Sequence, residues 1–143
     1  MITDSEDLSK FLDAQQRDYA GALAEIRNGR KQGHWIWYIF PQVAGLGFSS
    51  TSAHYAIKDL GQASRYLKHP VLGKRLIEIS EAILAIQGKS ALQILGSPDD
   101  LKLRSSMTLF NLLDETHPVF QAVLDKYYEG KADQRTVDLV GRG

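Results

Sequence analysis

Gly29-Arg30-Lys31-Gln32-Gly33-His34-Trp35-Ile36-Trp37-Tyr38-Ile39-Phe40-Pro41-Gln42 is the stretch on which the fold turns. Every residue from His34 to Phe40 is aromatic or aliphatic, and both tryptophans of the chain lie in this run. Its β-branched and aromatic content suits a strand buried on both faces. A strand, however, needs neighbours for its backbone donors and acceptors, and the other apolar stretches of the chain have helical periodicity. A short helix that is apolar all round satisfies its own backbone and belongs at the centre of a domain. The run is therefore read as a buried helix, stopped by Pro41, because the residue before a proline is pushed out of the α region. Burying Trp35 and Trp37 removes ~150–250 Å² of surface each. At about 25 cal/mol/Å² that is on the order of 4–6 kcal/mol per residue, before entropy is subtracted.

Helical text surrounds the run on both sides. Ser5, followed by Glu6, Asp7 and Leu8, reads as a helix start, with Leu8, Phe11 and Leu12 as an apolar face. Tyr19, Ala22, Leu23 and Ile26 continue at helical spacing towards a C-cap at Gly29, as one helix or as two. Downstream, Asp59 caps a helix through Leu60, Ala63, Tyr66 and Leu67. His69-Pro70 opens the clearest periodicity, Leu72, Leu76, Ile79, Ile83 and Ile86, ended by Gly88. Ala91 to Leu95 adds a turn, and Ser97-Pro98-Asp99-Asp100 starts a helix through Leu101, Met107, Leu109, Phe110 and Leu113. His117-Pro118 opens another from Phe120 to Tyr128, closed by Gly130, and a last short helix spans Asp133 to Val140. No linker or repeat divides the chain. The expectation is one all-α multihelical domain over residues 1–143, with a buried central helix pair and about seven helices.

Composition bounds the function. A chain of 143 residues buries roughly 68–70% of its unfolded surface. Lys plus Arg and Asp plus Glu each number 17, so no overall field recruits nucleic acid or acidic lipid. Cysteine is absent, which excludes disulfides, thiolate metal sites and thiol nucleophiles. The polar opening lacks the pattern of a signal peptide, and no apolar run approaches the ~18 residues of a membrane span. A cytoplasmic location is expected, with no membrane partner.

His34-Trp35-Ile36-Trp37-Tyr38-Ile39-Phe40-Pro41-Gln42 resembles the signature of a family of unknown function in bacteria and fungi, some of whose members carry the label calpastatin, a misnomer. Three further blocks match: Gly45-Leu46-Gly47 with Ser49, Ser52 and Tyr55; Tyr66-Leu67 with His69-Pro70-Val71-Leu72-Gly73; and Lys102-Leu103 with Ser105-Ser106-Met107-Thr108-Leu109-Phe110. Gln62 stands where the resemblance leads one to expect a glutamate. The resemblance implies a multihelical fold with buried central helices and no established activity.

The candidate chemistry gathers at the ends of the run. Arg30 and Lys31, with the loop from Gly45 to Ser50, suggest an anion pocket in which glycines admit a phosphate to backbone N–H groups and serines add donors. The loop lacks the third glycine and preceding strand of a dinucleotide fingerprint, and no Walker lysine follows it; the plain alternative is a tight surface turn. His34 is the acid–base candidate, against the commoner fate of capping a helix. His54 with Ser50, Ser52 and Tyr55 is too local in sequence for a triad. Gln42 either ties down its loop or reads a ligand. Lys102, Ser105 and Ser106 share a helix face, where a Ser-Lys pair can be catalytic, and serines beside a core need hydrogen-bond partners. Trp35, Gly47, Ser49, Ser52 and Tyr55 complete the ligand-binding candidates. His69 and His117, each before a proline, are assigned to capping.

No metal is expected, since the histidines are scattered and meet no acidic cluster, and no cofactor is implied. Arg27, Arg30 and Lys31 beside aromatic rings make a small case for nucleic acid, outweighed by zero net charge. Two functions survive: a small-molecule enzyme or ligand-binding domain for a phosphate-bearing nucleotide or ribosyl metabolite, and a non-catalytic protein-interaction module whose signature residues serve the fold.

Overall fold

A computed structural model describes the backbone of residues 4–141 and the side chains from Leu8 onward to Gly141, so the cap expected of Ser5 falls outside the described side chains. The two N-terminal stretches are one helix, α1 (Asp4–Arg27). It buries Leu8, Phe11, Gln15, Tyr19, Ala22 and Ile26, at steps of three or four, on a single face. Gly29 ends it at φ +80°. Its N–H donates to Ile26 O at 2.8 Å and that of Arg30 to Glu25 O at 3.1 Å, the paired closure of a Schellman motif.

Eight more helices follow among the described residues: α2 (Ile36–Ile39), α3 (Ser50–Tyr55), α4 (Leu60–Lys68), α5 (Leu72–Leu84), α6 (Ala91–Leu95), α7 (Asp99–Asn111), α8 (Pro118–Tyr128) and α9 (Gln134–Gly141). The total is nine, against about seven expected. The main surplus is α3, six residues long with no buried residue, so it has no apolar stripe to read. The central run is helical for a single turn only, and His34 at its head is exposed. No strand forms among the described residues; Val43 and Ile57 make one isolated parallel bridge, with Ala44 N–H to Ile57 O and Ile57 N–H to Gln42 O, both 2.8 Å. That bridge ties off the segment carrying α3.

The innermost helix is α7, buried continuously from Ser105 to Phe110. It packs against α8, α6, α4, α9 and the turn of α2. A file of rings crosses the core: Phe11 against Tyr66 edge-on at 5.2 Å, Tyr66 to Phe110 at 5.4 Å, Phe110 to Phe120 at 5.9 Å. Gln15, 2% exposed, provides the polar centre. Its Nε2 donates to Tyr38 O at 2.8 Å and to the Tyr66 hydroxyl at 2.9 Å, and Arg75 Nη1 reaches its Oε1 at 3.4 Å. One side chain thus binds α1 to α2, α4 and α5.

Several other helix starts follow their capping chemistry, whereas α7 has Pro98 at its N-cap and no side-chain cap, so Ser97 does not cap it. His69 Nδ1 accepts the N–H groups of Val71 and Leu72, and His117 Nδ1 that of Val119, as expected. Asp59 caps α4 by accepting from Gln62 N–H at 2.9 Å. The Gln62 side chain in turn accepts from Lys58 N–H at 2.8 Å. Only an acceptor oxygen is needed there, so glutamine performs the task of the expected glutamate.

The corner between α4 and α5 is the tightest in the fold: a Cβ on Gly73 would stand 1.9 Å from Leu67 O. Backbone cannot yield as a side-chain tip can. Gly73→Ala is expected to destabilise the protein by about 3 kcal/mol, the upper range of overpacking, read as a lower denaturant midpoint at unchanged slope. Unchanged stability would show that the corner has slack.

Candidate functional site

Glu25, on the last turns of α1, shapes the loop before the central run. Its Oε1 accepts from Gln32 N–H at 2.7 Å, Gly33 N–H at 2.9 Å and Trp35 Nε1 at 2.9 Å. Burial alone would push this carboxyl up. The amides of Gly33 and Gln32, the Trp35 indole and the Lys31 charge outweigh that and hold it below the usual carboxylate range. Glu25 thereby aims the Trp35 ring, and no local sequence signal marks it.

Lys31 turns inward. Its ammonium pairs with Asp99 Oδ2 at 2.8 Å, donates to Gly33 O and stands 5.1 Å from the centre of the Trp35 ring. Lys102, one turn into α7, approaches the other oxygen of Asp99 at 3.6 Å and stands 5.1 Å from the centre of the Trp37 ring. Side-chain exposures of 7% for Lys31, 16% for Asp99 and 24% for Lys102 rank the three by access to water. Two ammonium groups share one carboxylate, so the trio carries a net positive charge. Lys102 is its looser and more exposed member.

Trp37 also walls a cleft of about 160 Å³ lined by Gln42, Gly45, Gly47, Ser52 and Tyr55, with small apolar residues between them. These come from the end of α2, the loop after the Val43 bridge, and α3. Ser49 lies beside it as the cap of α3, its Oγ accepting from Ser52 N–H at 3.0 Å and lying 2.9 Å from Ser52 Oγ. Trp37 Nε1 is buried without a hydrogen-bond partner among the described residues, as is Ser106 Oγ on α7, which does not line the cleft. Ser106 follows Lys102 by one turn on the same face of α7.

The sequence candidates therefore divide. Gln42, Gly47, Ser52 and Tyr55 share the cleft, with Ser49 at its edge and Lys102 reached through Trp37. Trp35 and His34 open instead on a second cleft of about 180 Å³ against α1, with Arg17, Asp18, Glu25 and Tyr38. There Tyr38 donates its hydroxyl to Asp18 Oδ2; burial first, then that carboxylate, push the phenol well above its ordinary range. Lys31 is committed to Asp99, and Arg30 is exposed with no hydrogen bond or ion pair from its side chain among the described residues. Ser105 is buried and donates to Leu101 O and Asp133 Oδ2, both at 3.2 Å, so it works for the fold. A larger groove of about 320 Å³, between α4 and the turn after α7, contains none of the candidates. No group of His, Asp or Glu suited to a metal ion occurs among the described residues, and no helix there is long and apolar enough to cross a membrane.

The comparisons with known proteins agree with this fold. A family model described as "Protein of unknown function (DUF1810)" matches residues 5–140. The chain is similar to the crystal structure of the conserved hypothetical protein Rv1873 from Mycobacterium tuberculosis. The two are 47% identical over 94% of this chain and 96% of that one, with a TM-score of 0.92. No curated protein matches.

Glu25 gives the loop a pH dependence of definite sign. Its folded-state pKa is depressed, so its contribution is present above the unfolded carboxylate value and fades as pH falls through the folded one. Glu25→Gln keeps an acceptor oxygen without the charge and is expected to flatten that acid-side loss in urea melts, whereas Glu25→Ala lowers stability at neutral pH. An unaltered acid limb in Glu25→Gln would remove Glu25 from this role.

Proposed function

This chain belongs to the DUF1810 family of proteins of unknown function; taking its own geometry as the guide, we propose a small-molecule-binding domain for a phosphate-bearing metabolite, a nucleotide or ribosyl phosphate, seated at the Trp37–Tyr55 cleft. One observation carries the reading. Lys102, only loosely paired with Asp99, stands over the Trp37 ring, and that ring in turn walls a cleft lined by signature residues from separate segments. The excess charge of the Lys31–Asp99–Lys102 trio suits an anion there.

Size refines the reading. Pockets that swallow a drug-sized ligand hold ~300–1,000 Å³, and this cleft has about 160 Å³. It takes one ring or pentose, not a whole dinucleotide. Its lining includes no cation, so the uncharged end enters, with Gln42 and Ser52 as the polar contacts, and the phosphate stays outside towards Lys102. The earlier pairing of Arg30 and Lys31 as the anion clamp gives way to Lys102, because Lys31 is already engaged. Binding is better supported than catalysis: Ser52 Oγ is partnered by Ser49 Oγ, and His34 borders the other cleft.

The second reading, an interaction module whose signature residues are structural, draws on the same satisfied contacts: Lys31 on Asp99, Trp35 on Glu25 and Ser105 on Asp133. Thermal shift separates the two. A nucleotide or sugar phosphate at 100 times its Kd is expected to stabilise the protein by about 2.7 kcal/mol. Lys102→Ala should abolish the shift and leave the ligand-free melt nearly unchanged, since a long, partly exposed ion pair contributes about 1 kcal/mol at most. Lys31→Ala should instead lower the stability of the ligand-free protein by about 3 kcal/mol, because it strips a largely enclosed carboxylate of its closer partner. No shift with any phosphate compound at millimolar concentration would favour the interaction module.

A further inference from the structure

Phe48 is 91% exposed, far more than any other large apolar side chain among the described residues. On slack chain such a ring would be unremarkable, but here the backbone is held on both sides. Gly47 lies directly on Ser52, for a Cβ on it would stand 2.5 Å from Ser52 Oγ and 2.6 Å from Ser52 Cβ. Ser49 is fixed as the cap of α3. Two residues before Gly47, Gly45 is covered by Leu139 of α9, and its carbonyl accepts from Arg135 at 3.4 Å. The fold thus holds a bare aromatic ring in water one residue from the rim of a cleft whose walls already include Trp37 and Tyr55.

We propose that Phe48 is the closing wall of this cleft, a specificity-determining residue that stacks on the planar ring of the ligand and so selects a nucleotide over a bare sugar phosphate. The proposal rests on the cleft being the ligand site described above. Its physical basis is that every nucleobase presents a π face, and stacking on an aromatic side chain tolerates any base. The cleft has room for one ring, and Phe48 follows directly on Gly47, a residue of its lining. Its side chain, packed against nothing, gives up only rotamer freedom on closing. Lys102 then meets the phosphate and Phe48 the base, at opposite ends of one ligand.

The test is calorimetric titration of the whole protein with adenosine 5′-monophosphate and, separately, with ribose 5-phosphate. Phe48→Ala is expected to weaken the nucleotide about tenfold while leaving the sugar phosphate within about twofold. Phe48→Trp should restore the nucleotide. The ligand-free melting temperature should not move, because the ring packs on nothing. If Phe48→Ala weakens both ligands alike, or neither, the proposal is overturned while wild-type binding preserves the cleft as a site. If the wild-type protein binds neither compound, the cleft reading fails and takes this proposal with it. A change in sedimentation coefficient on Phe48→Ala, without a change in nucleotide affinity, also overturns it and assigns Phe48 to contact between copies of the chain.

Discussion

A single turn of helix buried in a core cannot satisfy its own backbone. The central run, expected to do so as a helix, is helical for one turn only. The turn of α2 has little beyond the bonds from Ile39 N–H to Trp35 O and from Phe40 N–H to Ile36 O, and an unpaired buried backbone group costs about 1–3 kcal/mol. Against a total stability of about 5–15 kcal/mol, a few such groups would forbid the arrangement. The surroundings supply what the turn lacks. The Glu25 carboxylate takes the amides before it, the Gln15 amide takes the Tyr38 carbonyl within it, and the Val43–Ile57 bridge takes the Gln42 carbonyl after it. Each device also positions a neighbour, so the order of α1, α3, α4 and α5 around the run follows from the same accounting of donors and acceptors.

Much of this was legible in the residues. Where apolar positions recur at three and four, as along α4, α5 and α8, the sequence reading finds the element and most of its buried face. Even so, α5 ends at Leu84, short of Ile86 and the expected stop at Gly88, and Leu60 and Leu67 of α4 are only half-buried. The failures have physical reasons. α3 buries nothing and left no periodicity to find. The extent of α2 was illegible because a seven-residue apolar run carries no phase. Gln15 is the instructive miss: it falls in step with Phe11 and Tyr19, while its twin Gln16 points to water. A polar residue in phase with an apolar stripe was the available signal. Glu25 had none, since its partners lie in a loop that only the fold brings back to α1.

The candidate site was legible as a list and not as a place. Positions two apart on a turn of 3.6 residues project in nearly opposite directions. Trp35 therefore faces α1 and Glu25, and Trp37 faces α7 and Lys102. One apolar run thus backs two separate clefts, and the residues that bracket it, His34 and Gln42, end on different sides. Asp99 was readable only as a helix-start acid. Its bond to Lys31 is what determines which of the two lysines stays available beside the cleft.

The same opposition of the tryptophans equips the protein with two unlike chromophores. The Trp35 indole N–H is held by a carboxylate, and that of Trp37 is enclosed without a partner. Each ring has an ammonium beside its face. Their emission bands should be separable in paired Trp→Phe variants, one sensing the acid–base state of the α1 loop and the other the occupancy of the opposite side. Events at the two clefts can then be followed independently by light alone, without any attached dye.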